Sequence, residues 1–316
     1  MNSAGVYLDA NATTPLSREV MAEMMPALAD FFANPSSVHK PGQDARALVD
    51  TARERCARVL GCAPGEIVFT SGGTESDALA ILGGRPARVV TTAVEHPAVL
   101  GACSQVAECV RVPVSRSGEL DLSELRRSLP GASLCSVMAA NNETGVIFPL
   151  REVAALCRDA GVPLHVDAVQ AAGKMPLDFP WDLLSISAHK IEGPKGAGLL
   201  AIRRGVRVAA VQAGGHQEKG RRAGTENVAG IVGLGAALDR AELKRAEIPP
   251  ADPAGPPRLA KRWRRSAAAG AASSTRATSE SPAPPRRRGR AGGCRAVPPA
   301  ALKARGPAPA RARRAT

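Results

Sequence analysis

At 316 residues, with 44% apolar side chains and a net charge of +13, the chain is long enough for one large α/β domain and a smaller one. It contains no run of about eighteen uncharged apolar residues, which argues against a membrane-spanning helix, and its start, MNSAGVYLDANATTP, lacks the basic cluster and apolar run of a signal peptide. The charge does not mark a nucleic-acid-binding body, because sixteen of the 42 Lys and Arg lie in residues 251–316 beside two acids, leaving the first 250 residues with a net charge of −1.

In chain order, apolar runs at 66–71, 88–93, 110–114, 133–141, 162–168, 183–188 and 198–204 read as buried strands. Helical patterns fall at 43–60, 74–82, 97–107, 123–129, 150–160 and 227–243. Strands alternating with helices predict an α/β fold with a mostly parallel central sheet covered on both faces. In such sheets ligands bind beyond the carboxyl ends of the strands, so the residues just after each strand are the candidates for chemistry.

The first candidate is SGGTES, where Gly72 and Gly73 allow a tight turn and Thr74 opens a helix. Exposed N–H groups with a hydroxyl beside them suit a phosphate, although a Thr-capped glycine turn has the same pattern. VEHPAV places His96 before a helix-starting proline, and NNETGV places Asn141 at a strand end, where a turn role is the plain alternative. Asp167 closes the next strand, with Gln170 three residues on. His165 and Asp167 lie two apart, but no further ligand set accompanies them and no metal site is expected. The following strand, SISAHK, delivers Ser187, His189 and Lys190, and a glycine-rich turn follows.

A lysine, an aspartate, a histidine, an asparagine and a phosphate cradle at one sheet edge are the set that pyridoxal 5'-phosphate needs. Its aldehyde takes a lysine amine as a Schiff base, its ring nitrogen takes a carboxylate, and its phosphate takes hydroxyls and helix-start N–H groups.

Residues 251–316 differ in kind: 49 of the 66 are Ala, Arg, Pro or Gly, too few apolar side chains to offset ordering entropy. Residues 246–316 are therefore expected to be a disordered tail. The composition points to a GC-rich gene read in a shifted frame from near residues 240–250; the alternative is a genuine basic arm. Seven cysteines without a C-x-x-C spacing suit free thiols in a reducing cytoplasm.

The motifs YLDANATTP, NPSSVHKPGQDAR, FTSGGTESDALAI, EHPAVL, NNETGVIFPL, HVDAVQAAGK, SISAHKIEGPKGAGLL and RRAGTENVAGIVGLG resemble, in this order, those of cysteine desulfurases of the nitrogen-fixation and iron–sulfur-assembly type. These are class V, fold-type I pyridoxal-phosphate enzymes. The resemblance covers about residues 6–240. It implies a three-layer large domain over 16–245, residues 1–15 as part of a small domain, and a homodimer.

The resemblance also implies roles. Lys190 would hold the cofactor and move the substrate α-proton. Asp167 would pair with the ring nitrogen, Gln170 would bond the ring hydroxyl, and His96 would stack on the ring and relay protons. Gly73, Thr74, Ser187 and His189 would bind the phosphate, with Thr225 reaching it from the other subunit. Asn141 would contact the substrate or the cofactor hydroxyl. The implied reaction converts L-cysteine to L-alanine and passes sulfur to an acceptor thiol, for a sulfur-acceptor or iron–sulfur scaffold protein.

The sequence departs from the pattern in three places. The Ser/Gly-rich loop that carries the family's nucleophilic cysteine is not recognisable, nor is the arginine that clamps the substrate carboxylate; Cys294, in RAGGCRAVPP, is the only late cysteine. Glu192 stands close after Lys190 where a non-acidic residue is usual, and His216 stands where glycine is usual. An impaired desulfurase is the leading expectation. The alternatives are another class V lyase, such as a selenocysteine lyase, and a cofactor-fold remnant whose tail binds nucleic acid nonspecifically or an acidic partner.

Overall fold

Strand pairing follows from which residues can bury both faces. The computed structural model describes residues 6–247. Its strands are β1 (Ile67–Thr70), β2 (Arg88–Thr92), β3 (Glu108–Val112), β4 (Leu134–Met138), β5 (Leu164–Asp167), β6 (Leu183–Ser187) and β7 (Gly198–Ile202). They form one seven-stranded sheet in the order β1-β7-β6-β5-β4-β2-β3. Every neighbouring pair is parallel except those of β7, which runs antiparallel to both β1 and β6.

Alternate strand residues enter two separate apolar clusters. Ile67, Phe69, Leu184, Ile186, Leu199 and Ala201 pack on one side with Val49 and Leu60 of α2 (Lys40–Leu60), Val153 and Leu156 of α6 (Leu150–Ala160), and Leu234 and Leu238 of α7 (Val228–Ala246). Val68, Leu183, Leu200 and Ile202 pack on the other with Leu79 and Ile81 of α3 (Gly73–Leu82) and Val99 of α4 (Pro97–Cys103). This two-sided burial explains why the strands read as continuous apolar runs rather than alternating ones. The fold is therefore the expected α/β arrangement with a mostly parallel, doubly covered sheet.

Each predicted strand and helix is present, with shifted ends. The strand expected at 110–114 is Glu108–Val112. Pro113 has no N–H to continue a ladder, and Val114 instead makes an isolated bridge with Leu120. α5 is Leu122–Ser128. One helix was not expected: α1, Arg18–Ala29, has Pro26 in its interior, a residue that reads as a helix breaker. Ser17 caps its start, its hydroxyl accepting from the Val20 N–H at 3.1 Å, and it packs against α7.

The segment before α1 is tied to the turn after β6. The Thr14 N–H donates to the His189 carbonyl at 2.8 Å, and the Ser17 N–H to that of Glu192 at 3.0 Å. Glu192 has a left-handed backbone, φ 63°; its N–H donates to Thr14 Oγ1 at 2.7 Å, and its carboxylate pairs with Lys244 of α7 at 2.5 Å. Its side chain is thus a clasp between two elements. The expectations for the tail from 248 onward and for Cys294 lie outside the described residues. Among the described residues no helix is long and apolar enough to cross a membrane.

Candidate active site

A cavity of about 310 Å³ opens at the carboxyl ends of β4, β5 and β6, against the first turn of α3. Gly73, Thr74, His96, Asp167, Gln170, Ser187, His189 and Lys190 all line it, and so do Ala12, Asp77 and Asn142. Strand-end geometry accounts for this gathering: parallel strands end in register, so the residue following each one reaches the same crevice.

The cradle is built from backbone. Gly72 has φ 153°, a conformation reserved for glycine, and α3 has no side-chain cap at that position. A Cβ on Gly73 would lie 2.9 Å from Val169 Cγ2, just after β5, so a side chain there would press on the Val169 side chain, whereas Ser187 Cβ of β6 would be at an ordinary 3.7 Å. An uncapped helix start presents N–H groups and the positive end of its dipole to an anion.

Lys190 follows β6 in a short 3-10 turn, and its Nζ donates to the carbonyls of Asn11 at 2.5 Å and Ala12 at 2.9 Å. Burial lowers its pKa, against the pull of the Asp167 and Asp9 carboxylates, which favours the neutral, nucleophilic amine. Asp167 is buried and accepts the Val169 N–H on Oδ1 at 2.9 Å. Burial raises its pKa, and the Val169 N–H, with His96 and Lys190 nearby, works the other way.

Gln170 is held at both ends: its Nε2 donates to the Asn11 carbonyl at 3.0 Å, and its Oε1 accepts from Lys174 Nζ at 2.6 Å. Burial, with Lys190 nearby, brings Lys174 down to about 8. His96 sits at the rim as the cap of α4, Nδ1 accepting the Ala98 N–H at 3.1 Å, which puts the proton of the neutral ring on Nε2. His189 Nδ1 lies 3.1 Å from Thr13 Oγ1, and burial followed by three neighbouring lysines lowers its pKa.

Two expected residues are not brought into the cavity. The Asn141 amide is used in its own turn, with Nδ2 donating to the Val94 carbonyl at 3.1 Å and Oδ1 accepting from the Glu143 and Thr144 N–H groups at 3.0 and 2.9 Å. Its neighbour Asn142 lines the cavity instead. Thr225 is exposed and does not line it.

These geometries accompany a clear kinship. The class-V aminotransferase profile matches residues 6–249. The chain belongs to the class-V aminotransferases. It is 50% identical over 247 residues to a cysteine desulfurase of Trichormus azollae, covering 74% of this chain and 62% of that relative. It is 46% identical over 252 residues to the cysteine desulfurase NifS of Azotobacter vinelandii, covering 75% and 63% of the two chains. The chain thus spans less than two thirds of the length of these relatives. Among solved structures, a NifS-like protein superposes with a TM-score of 0.75 at 38% identity, covering 77% of this chain and 71% of that one. A structure described as SspA in complex with cysteine gives 0.71 at 34% identity, covering 74% and 72%.

Class-V aminotransferases use pyridoxal 5'-phosphate, and the residues present fit it. The glycine-walled helix start with Ser187 and His189 suits the phosphate, a buried carboxylate stands ready for a protonated ring nitrogen, and a lysine amine of lowered pKa stands ready for the aldehyde.

Beneath the cavity lie groups that motif reading passed over. Glu95 is buried; its Oε1 accepts from Thr92 Oγ1 at 2.7 Å and from the Met138 N–H at 3.0 Å, while Oε2 has no partner, and burial pushes its pKa up from 4.5 to about 8. Burial pushes His165 down from 6.5 to about 3. The unfolded chain ionises Glu95 above about 4.5 while the folded one keeps the proton to about 8, so this group removes stability as pH rises through that window. The unfolded chain protonates His165 below about 6.5 while the folded one resists to about 3, so this group removes stability as pH falls. The cofactor-free chain is expected to lose stability on the alkaline side of pH 6.5 at up to about 1.4 kcal/mol per pH unit per group. Glu95→Gln should make that limb shallower in urea melts from pH 6 to 8.5, and an unchanged slope would remove Glu95 as its source.

Proposed function

We propose that this class-V aminotransferase is a cysteine desulfurase by descent, taking L-cysteine to L-alanine and leaving the sulfur on an acceptor thiol. The observation that carries the reading is the convergence of Lys190, Asp167, Gln170 and His96 with the α3 cradle on one cavity, in a chain 50% identical to a cysteine desulfurase. In net terms the cysteine C–S bond breaks, an S–S bond forms on the acceptor, and the acceptor's proton ends on the β-carbon. When bound, the cofactor draws electrons from the substrate α-carbon and so lowers the cost of removing its proton.

The chain's own residues do the rest. Lys190 moves the α-proton, and burial, which lowers its pKa, favours the neutral amine that acts as base. The Asp167 carboxylate holds positive charge at the ring nitrogen. The Gln170 amide donates toward the ring hydroxyl, in an orientation set by Lys174 on its oxygen. The His96 Nε2–H faces the reacting side. Ser187, His189, Gly73 and Thr74 bind the phosphate, and in a homodimer Thr225 of one subunit completes the other's phosphate site. Asn141 shapes the turn that brings Asn142 to the cavity wall. A cytoplasmic setting, and a thiol protein of iron–sulfur or thio-cofactor assembly as acceptor, complete the reading.

Among the described cysteines, Cys56, Cys103 and Cys62 are poor acceptors: burial drives the first two to about 12 and the third to about 11. Sulfur delivery is therefore assigned to an added thiol or a partner protein. Reconstituted chain given L-cysteine is expected to form alanine only when a small thiol is supplied. No alanine at any thiol concentration, with cofactor bound, would exclude L-cysteine as substrate; alanine from selenocysteine alone would assign the chain as a selenocysteine lyase.

A further inference from the structure

Below the cavity, the α3-facing side of the sheet carries a polar row where apolar residues would be cheaper. Ser136 of β4, His165 of β5 and Ser185 of β6 are each fully buried. His165 Nδ1 lies 2.8 Å from Ser136 Oγ and Nε2 lies 2.9 Å from Ser185 Oγ. Asp77 of α3 faces this row, 1% exposed, with Oδ1 3.6 Å from His165 Nε2 and no hydrogen-bond partner on that oxygen. Asp77 also lines the cavity with Asp167, which stands two residues beyond His165 on the same side of β5.

We propose that Asp77 is a positioning residue for Asp167: a carboxylic acid that stays protonated on the cavity floor, so that the pair's single negative charge rests on Asp167.

Three physical points converge on this. An unpaired carboxylate cannot be buried cheaply, so Asp77 is charged only if a cation or several donors face it. The groups that do face it supply neither. His165 is held neutral by burial, the Ser185 hydroxyl also serves His165, and β7 presents only apolar residues. On α3 itself, Glu75 turns away to Arg222 at 2.8 Å. Of the remaining acids, Asp167 disfavours a second anion beside it and Glu95 supplies no positive charge, while Lys190 and His96 lie on the Asp167 side. Two neighbouring carboxyls then titrate as a pair, with one proton held far more tightly than the other. The charge on Asp167 is then what holds the proton on Asp77, and a neutral Asp77 puts no like charge beside Asp167.

The role toward the ring nitrogen rests on the cofactor reading above, whereas the carboxyl pair does not. Carboxyl-carbon NMR of the full chain labelled at aspartate Cγ, without cofactor, tests the pair directly, with Asp77→Asn and Asp167→Asn assigning the signals. Asp77 is expected to keep the protonated shift at pH 7, and Asp167→Asn to lower the Asp77 midpoint so that its acid dissociation constant rises at least tenfold. Asp77→Asn replaces one neutral group by another and should leave the Asp167 midpoint where it was; Asp167→Asn keeps the test open if Asp77→Asn does not fold. An Asp77 carboxyl ionised at pH 7, or an Asp77 midpoint indifferent to Asp167→Asn, would overturn the proposal. With cofactor bound, Asp77→Asn should leave the pH midpoint of the visible absorbance in place; a displaced midpoint would mean that Asp77 carries charge there and would overturn the role toward the ring nitrogen. A wild-type chain that binds no cofactor would fail the cofactor reading and leave the carboxyl titration to decide the pair.

Discussion

Lys190→Ala is expected to abolish retention of pyridoxal phosphate through gel filtration, together with all visible-range absorbance of the reconstituted chain. The prediction is discriminating because two lysines of lowered pKa lie close together. Burial brings Lys174 down to about 8, and on titration alone it would be an equal candidate. Geometry separates them. Lys190 lines the cavity and is held by two backbone carbonyls, which a modest side-chain rotation would release. Lys174 does not line the cavity, and its Nζ is engaged by Gln170 Oε1 at 2.6 Å. Borohydride reduction followed by peptide mapping should therefore fix the cofactor on Lys190 alone. Lys174→Met should keep the label while weakening cofactor affinity through a loosened Gln170. Label on Lys174, or label surviving Lys190→Ala, would end the assignment.

That the sequence pointed to Lys190 at all reflects where parallel sheets put chemistry. Asp167, Ser187 and Lys190 end or follow strands, and strands covered on both faces announce themselves as apolar runs, so their polar endings stand out. Residues inside helices give no such contrast. Asp77 lies in the body of α3, and a single acid in a helix reads as a solvated position until the sheet behind it is known. α1 gives little local signal for a related reason: it carries an interior proline, Pro26, and its packing against α7 decides the matter. Asn141 and Asn142 show the limit of register. Both are polar and both follow β4, but which of them faces the cavity depends on the 141–146 turn, where Asn141 spends its amide on backbone groups.

Arg53→Ala is expected to be among the most damaging single changes to the described fold, at about 3–5 kcal/mol by urea unfolding, since it strands a buried carboxylate. Arg53 of α2 and Glu218 form a two-pronged pair, Nη1 to Oε2 at 2.8 Å and Nη2 to Oε1 at 2.7 Å, with side chains 11% and 2% exposed. Each also satisfies β1: Arg53 Nη1 donates to the Ile67 carbonyl at 2.9 Å, and Glu218 Oε2 accepts the Phe69 N–H at 3.0 Å. The guanidinium stacks over the Phe69 ring at 4.6 Å. Glu218 and Lys219 take left-handed backbones, φ 47° and 58°, a strain of about 1–3 kcal/mol each that persists only while something holds the segment. The pair is that hold, and it anchors the stretch leading to Arg222 and Thr225. Arg53→Lys should recover little, because a point charge cannot replace both prongs. The double change Arg53→Met with Glu218→Gln should recover part of the loss, since no buried charge is then left alone. A cost below about 1 kcal/mol for Arg53→Ala would place the pair among ordinary surface ion pairs and leave the strained 218–219 backbone to be held by the Phe69 N–H and the neighbouring turn alone.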